Sequence, residues 1–366
     1  MYISKLSLLN YRNFKHLELD FSKKINYFTG DNGVGKTNLL DAIYYLSFCK
    51  SAINPIDSQI VYHGADCFML KGKYKTDLGE SLIISSSVRP KKRKRFKCGD
   101  KEYQRFSDHM GVIPLVMVSP ADSSLIEGGS DERRRFLDMV ISQHDREYLS
   151  LLIEYGRALT QRNTLLKQNN ENEVDDELYL VWEEIMARSG SIIYNKRREF
   201  VESLKPRFRS VYSAIGAKRE NVEFEYLSHV EEGSLLEQFK DFRMKERIMG
   251  YSLRGIHKDD LILTLDGYPI KKEGSQGQNK SCLVALKLSQ YLYLSEMSTD
   301  KKPILLLDDL FDKLDALRVE QILNIVSDER FGQIFITDVN RTNLDNMLKG
   351  TGKEYKCFTV EYGKVI

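Results

Sequence analysis

The sequence suggests an α/β fold in which one lobe is assembled from both ends of the chain and a helical lobe is inserted between them. Three observations carry this. A glycine-rich loop, Gly30-Asp31-Asn32-Gly33-Val34-Gly35-Lys36-Thr37, sits between a short apolar segment and a helical pattern. A second apolar run, Ile304–Leu307, ends far downstream in Asp308-Asp309, as a buried parallel strand would. Between them the texture changes: from Asp131 to about Ser213, Gly and Pro almost vanish and apolar residues recur at three and four.

Taken in order, Ile3, Leu6 and Leu8 alternate loosely and Leu17, Leu19 and Phe21 cleanly, which reads as two strands. Ile25–Thr29 is a third. Leu39, Leu40, Ile43 and Leu46 have helical spacing, so a helix is expected over Asn38–Phe48. Phe68–Tyr74, Leu82–Val88 and Leu115–Val118 read as further strands. Two long helices joined by a short linker, an αα-hairpin, are expected over 131–204; the polar stretch 169–177 divides them and Pro206 ends the second. Val222–Leu227 reads as a strand and Leu235–Met249 as a helix. The end of the chain alternates again: strand Ile262–Leu265, helix Leu283–Leu294, strand Ile304–Leu307, helix Val319–Val326, strand Ile334–Thr337.

Composition sets limits on this outline. The 366 residues suit two or three domains. Lys+Arg is 55 and Asp+Glu 53, a net charge of +2, so any nucleic-acid surface must come from local clustering. Hydrophobic residues at 42% argue against a disordered chain, and no apolar run reaches the length of a membrane span. The start has no signal-peptide core, and Cys49, Cys67, Cys98, Cys282 and Cys357 are scattered without metal-ligand spacing. A cytoplasmic protein with reduced thiols is expected.

The loop satisfies GxxxxGK[ST]. Backbone N–H groups of Gly30 to Thr37 would cradle phosphate, with Asn38 opening the helix behind them. Lys36 would neutralise the β- and γ-phosphates of ATP, and the Thr37 hydroxyl would reach Mg²⁺. Asp308 at the end of an apolar strand would hold the same Mg²⁺, and Asp309 would orient or deprotonate the attacking water. Lys36 and Asp309 are thus the catalytic candidates.

Gly274 and Ser275-Gln276-Gly277-Gln278 precede the helix Leu283–Leu294. They are similar to the signature loop of ABC-type ATPases, and they fall between the phosphate loop and Asp308, as in that class. Leu314-Asp315 fits its D-loop, and Thr337 occupies its switch position. The resemblance implies an α/β, ABC-type P-loop ATPase lobe, a mixed sheet plus an antiparallel β subdomain, over 1–125 and 250–366. Residues 126–249 would form the inserted α-helical lobe. In that class the signature contacts the nucleotide of the opposite subunit, which implies an ATP-dependent homodimer.

Further strings resemble the RecF family of bacterial recombination mediators along essentially the whole chain. They are Leu9-Asn10-Tyr11-Arg12-Asn13-Phe14, Ser119-Pro120-Ala121-Asp122, Glu132-Arg133-Arg134-Arg135-Phe136-Leu137-Asp138 and Gly255-Ile256-His257-Lys258-Asp259-Asp260. The last departs from the family's GPHRDD at Ile256 and Lys258; the charge of Lys258 is kept but not a planar fork. Asp309, where many ABC ATPases have Glu, agrees with the family, and its shorter arm suits a slow, switch-like ATPase. The resemblance implies binding of double-stranded and gapped or junction DNA, action with RecR and RecO, and RecA loading in repair, replication and the SOS response.

Seven of the nine residues from Arg89 to Lys97 are basic, so Lys91, Lys92, Arg93, Lys94 and Arg95 are DNA-contact candidates; a solvated hairpin is the alternative. Arg133–Arg135 and Lys196–Arg198 are others. His257 beside two acids is expected to be a hydrogen-bond hub, and Trp182 a core residue. Competing readings are another SMC-like ATPase with a structural DNA role and a P-loop small-molecule kinase. The segment between Thr37 and Ser275 is far too short for an SMC arm. The short tail ending in Tyr355–Val360 leaves no room for an appended nuclease.

Overall fold

The computed structural model describes residues 1–76, 79–168, 176–216, 220–298, 300–311, 314–339 and 352–366. They pack as two compact units. The first is Met1–Asp122, Ser210–Lys218 and Lys280–Ile366; the second is Ser123–Arg209 and Arg219–Asn279.

The chain enters the first unit through β1 (Tyr2–Tyr11), β2 (Phe14–Asp20), β3 (Ile25–Thr29) and α1 (Lys36–Phe48). It continues through β4 (Phe68–Lys75), β5 (Ser81–Val88), β6 (Arg95–Cys98), β7 (Lys101–Glu102) and β8 (Leu115–Val118). Six of these strands form an antiparallel sheet in the order β2-β1-β4-β5-β6-β7. β4 alternates buried and exposed residues along its full length, the signature of a sheet with one face on the core.

The second unit begins with the helices α2 (Ser124–Glu127), α3 (Ser130–Ser142), α4 (Arg146–Gln168) and α5 (Asp176–Ala214). There follow β9 (Val222–Leu227), α6 (Leu235–Met249), β10 (Asp260–Leu265), β11 (Tyr268–Pro269), α7 (Ile270–Glu273) and α8 (Gln276–Met297). The expected first long helix is in fact two. Asp145 breaks it, its carboxylate accepting the Tyr148 N–H at 2.8 Å in the first turn of α4. The second helix runs through Pro206 to Ala214, because Phe208, Val211 and Tyr212 beyond the proline are all buried and hold the backbone helical. The expected break lies outside the described residues at 169–175, while Asp176 and Glu177 are helical. Residues 250–279, expected in the first lobe, pack with the second unit, since β10 pairs with β9 along its whole length. Trp182 is only half-buried.

The stretch expected as a loop followed by a helix over Leu283–Leu294 is a longer helix: α8 already starts at Gln276, and from Lys280 onward it belongs to the first unit. β12 (Ile304–Leu307), α9 (Ala316–Val326), β13 (Ile334–Asp338), β14 (Tyr355–Glu361) and β15 (Lys364–Val365) complete the chain. The second sheet of the first unit has the order β15-β14-β3-β13-β12-β8, and only β15 is antiparallel. Strands β3, β8 and β12 are buried at every residue, as a parallel sheet covered on both faces requires. α1 touches strands of both sheets and is buried nearly all round, so it is the central helix of this core. Buried Gln333 ties the sheets: its amide exchanges two hydrogen bonds with the Ile3 backbone, both 2.8 Å, and donates to Ser22 O at 2.7 Å. Among the described residues no helix is long and apolar enough to cross a membrane.

Candidate nucleotide site

The sheet order puts β13 between β3 and β12, so three strand ends meet at one point. The glycine-rich loop leaves β3, Asp308 follows β12 and Thr337 lies near the end of β13. Ligands collect at such carboxyl ends. The loop passes close to Asn13, which stands in the tight β1–β2 turn. Asn13 Nδ2 donates to Val34 O at 2.8 Å, and Asn38 Nδ2 donates to Asn13 Oδ1 at 2.8 Å. Gly35 has φ +111, and a Cβ there would overlap the Asn13 amide, so glycine is required on both counts.

Lys36 is buried, and its ammonium donates to the carbonyls of Gly30 (2.7 Å) and Asp31 (2.9 Å). Thr37 Oγ1 donates to Asp308 Oδ1 at 3.0 Å, and Thr337 Oγ1 donates to the same oxygen at 2.8 Å. The Asp309 N–H donates to Thr337 Oγ1 at 2.9 Å. Asp309 itself is held at φ 42, an uncommon conformation for a non-glycine residue. Burial pushes the Asp308 carboxyl up to about 6, and the neighbouring Asp309 adds to this; the hydroxyls of Thr337 and Thr37 and the Lys36 charge oppose it. Two groups fit a nucleotide and its cation: the glycine cradle with its lysine, and the threonine–aspartate pair with hard oxygen donors. Buried Asp309 Oδ1 has no hydrogen-bonding partner among the described residues. The structure therefore brings together Gly30 to Asn38, Asp308, Asp309 and Thr337.

Ser275 to Gln278 lie in the second unit at the head of α8. Ser275 Oγ accepts from the Gln278 N–H at 3.2 Å, and Gln278 Oε1 accepts from the Ser275 N–H at 2.8 Å. This is a reciprocal capping box. Asp315 caps α9, accepting the Arg318 N–H at 2.9 Å.

The basic run is divided. Lys94 donates to Asp57 and Cys49 O, both at 2.7 Å, and lies over the Tyr45 and Phe106 rings. Arg95 pairs with Glu102 at 3.0 Å and Arg93 donates to Gln104 O at 2.9 Å. Arg89, Lys91 and Lys92 are left exposed in the turn between β5 and β6. The helical triplets turn mostly toward acids. Arg133 clasps Asp260 through two bonds of 2.7 and 3.0 Å, and Arg135 meets Glu132 at 2.6 Å. Lys196 bridges Asp145 and Glu147, and buried Arg197 links Asp138 (2.8 Å) to Asp259 (3.0 Å).

His257 is a hub. Its Nε2 faces the Ser252 carbonyl at 3.1 Å and must carry the proton, so Nδ1 accepts from Tyr155 OH at 2.8 Å. Burial lowers its pKa to about 4, and the ring stays neutral. The Gly255–Asp260 string thus joins α3, α4 and α5. The role of Asp122 also emerges only in three dimensions: it accepts from Ser119 N at 2.8 Å and pairs with buried Lys287 at 2.7 Å. A lysine inside an otherwise apolar helical run was the available signal. Asn13, Asn38 and Thr337 each stood in a string or position the sequence marked, but the bonds of Asn13 to Val34 O and Asn38 and of Thr337 to Asp308 had no signal along the chain.

Parallel strands that converge a phosphate loop on a buried acid place this chain among the P-loop ATPases, and the antiparallel sheet across α1 narrows that to the ABC type of the SMC-like branch. Residues 2–362 match the RecF/RecN/SMC N-terminal domain family. The chain belongs to the RecF family. It is 56% identical over 365 residues to the DNA replication and repair protein RecF of Phocaeicola vulgatus, covering 100% of this chain and 98% of that one. It is 45% identical over 366 residues to the RecF of Porphyromonas gingivalis strain ATCC 33277, covering 100% of both. A solved structure of the recombination mediator protein RecF with ATP in the RecFOR pathway superposes with a TM-score of 0.88 at 28% identity, covering 100% of this chain and 97% of that chain. An Smc head domain derived from Pyrococcus furiosus shares the fold, with a TM-score of 0.60 at 16% identity.

Proposed function

We propose that this chain is an ATP-gated, DNA-binding recombination mediator that dimerises on ATP and uses slow hydrolysis as a release switch. The observation that carries this is the hydrogen-bonded chain Thr37–Asp308–Thr337–Asp309, which couples the phosphate loop to the catalytic acid. The names of its relatives support DNA repair as the setting. By the same reading it works in the cytoplasm on gapped or junction DNA, with RecO- and RecR-type partners, to promote RecA loading.

In this reading Lys36 exchanges its two loop carbonyls for phosphate oxygens, so a site already holding the ammonium needs little rearrangement. Thr37 and Asp308 would hold Mg²⁺, which would neutralise phosphate charge when bound. Asp309 orients the attacking water through its unpartnered Oδ1. Ser275 and the head of α8 complete the site of a second copy, with Asp315 near that seam. Arg89, Lys91 and Lys92 meet DNA phosphates.

Sizing by light scattering, with and without ATP and repeated on Ser275→Arg, tests the reading. The wild type should become dimeric only with ATP, and the variant should stay monomeric. A wild-type monomer under every condition would overturn the proposal and favour a P-loop kinase.

A further inference from the structure

The capping box at the head of α8 is itself held by a residue that belongs to none of the motifs. Gln278 Nε2 donates to Glu220 Oε1 at 3.1 Å, while Gln278 Oε1 accepts from the Ser275 N–H. These two bonds allow one orientation of the amide. Flipping it would set an N–H against the Ser275 N–H and an amide oxygen against a carboxylate, which only accepts. Glu220 is in turn anchored at the mouth of β9. The next residue, Asn221, receives the Asp266 N–H on its carbonyl at 2.8 Å and donates its own N–H to Asp266 Oδ1 at 3.1 Å.

The consequence lies at Ser275. Its exposed Oγ accepts from the Gln278 N–H, so the hydroxyl proton is not used in the box and can be donated to a ligand. The first intrahelical bond of α8 runs from Asn279 N to Ser275 O at 2.9 Å. Of the four donors at this end, the box takes Ser275 and Gln278, and those of Gln276 and Gly277 have no intrahelical acceptor. One hydroxyl and two N–H groups are therefore presented together in a fixed array suited to a phosphate oxygen.

We propose that Glu220 is a positioning residue of the signature loop. By fixing the Gln278 amide it keeps Ser275 and the N–H groups of Gln276 and Gly277 arrayed for the terminal phosphate of ATP bound to a second copy. This rests on the reading that the signature acts across a dimer. Without Glu220 the amide is free to flip, the box opens, and the array is present only part of the time. The ATP site of the same copy should be unaffected, because the hydrogen bonds described for Gly30 to Asn38 and Asp308 are made with other residues.

The test compares wild type, Glu220→Ala, Glu220→Gln and Ser275→Arg. Two quantities are read on each: dimer fraction against ATP concentration by light scattering, and binding of a fluorescent ATP analogue to dilute monomer. Glu220→Ala should need about tenfold more ATP for half-dimerisation while monomer binding stays within about twofold. Glu220→Gln retains an acceptor and should fall within about twofold of wild type on both. An unshifted dimerisation curve for Glu220→Ala overturns the proposal. So does a Glu220→Gln curve as shifted as that of Glu220→Ala, because the acceptor would then not be what matters. If wild type itself fails to dimerise, or Ser275→Arg dimerises normally, the dimer reading fails and the role of Glu220 falls with it.

Discussion

At the scale of single residues, Thr337 has the most concentrated role. Its hydroxyl donates to Asp308 and accepts from the Asp309 backbone, so it sets both acids at once. Thr337→Val keeps the β-branched shape that β13 prefers and removes both bonds. Steady-state hydrolysis should fall about tenfold or more, with ATP affinity within about threefold. An unchanged rate would show that Thr337 does not position the acids. His109 offers a pH test. Its Nε2 faces Leu46 O at 2.8 Å and its Nδ1 faces Tyr103 OH at 3.1 Å, so the buried ring is neutral. Burial lowers its pKa to about 4, whereas an unfolded histidine titrates near 6.5. Between those values the unfolded chain binds more protons, so stability falls as pH drops through the window. His109→Gln places an amide nitrogen near the Nε2 position to donate to Leu46 O and does not titrate. Urea unfolding should show its acid loss between pH 6.5 and 4 smaller by about 3 kcal/mol.

At the scale of elements, the helices of the second unit share charged as well as apolar contacts. Arg162 on α4 is fully buried and meets Glu183 on α5 at 2.9 Å and Glu246 on α6 at 2.6 Å. Arg243 on α6 returns to Glu183 at 2.6 Å. Three helices therefore share one buried network. Arg162→Leu would leave buried Glu246 without its ion pair and Glu183 with Arg243 alone, a cost of about 3–5 kcal/mol. Circular dichroism during urea unfolding should show an earlier helical transition of that size. Helix boundaries were hard to foresee for reasons outside this network. Periodicity places apolar faces, but Asp145 ends a helical run by capping, and Pro206 is tolerated because residues beyond it are buried. Elements with an unmixed apolar pattern were easier. β8, β9, β12 and α6 match the expected ranges because β8 and β12 are short continuous apolar runs, β9 alternates and α6 has a helical apolar stripe, each with clear flanking breaks.

For the molecule as a whole, a net charge of +2 conceals an uneven distribution. In the second unit Arg133, Arg135, Lys196 and Arg197 are matched with carboxylates, whereas Arg89, Lys91 and Lys92 stand exposed on the first. The proposed DNA surface is accordingly the β5–β6 turn. Replacing Lys91 and Lys92 together by Ala should weaken ATP-dependent DNA binding and lower the salt slope by about two per chain. Fluorescence anisotropy across a salt series reads both, and an unchanged slope would remove this turn from the interface. Lys94, which looks equivalent in the sequence, is expected to affect stability instead, since it braces Asp57 and Cys49 O.

The sequence by itself determined the α/β class, the phosphate loop, the acid after the apolar strand and the family, because each is a local string whose chemistry depends on its own neighbours. Tertiary structure alone decided which distant residues serve those strings. Strand order set β13 between β3 and β12 and so brought Thr337 onto Asp308. The β1–β2 turn carried Asn13 to the loop, and the pairing of β9 with β10 grouped 250–279 with the helices and set Glu220 against Gln278. The physical reason is that a hydrogen bond is specified by position in space, whereas periodicity and motif report only position along the chain.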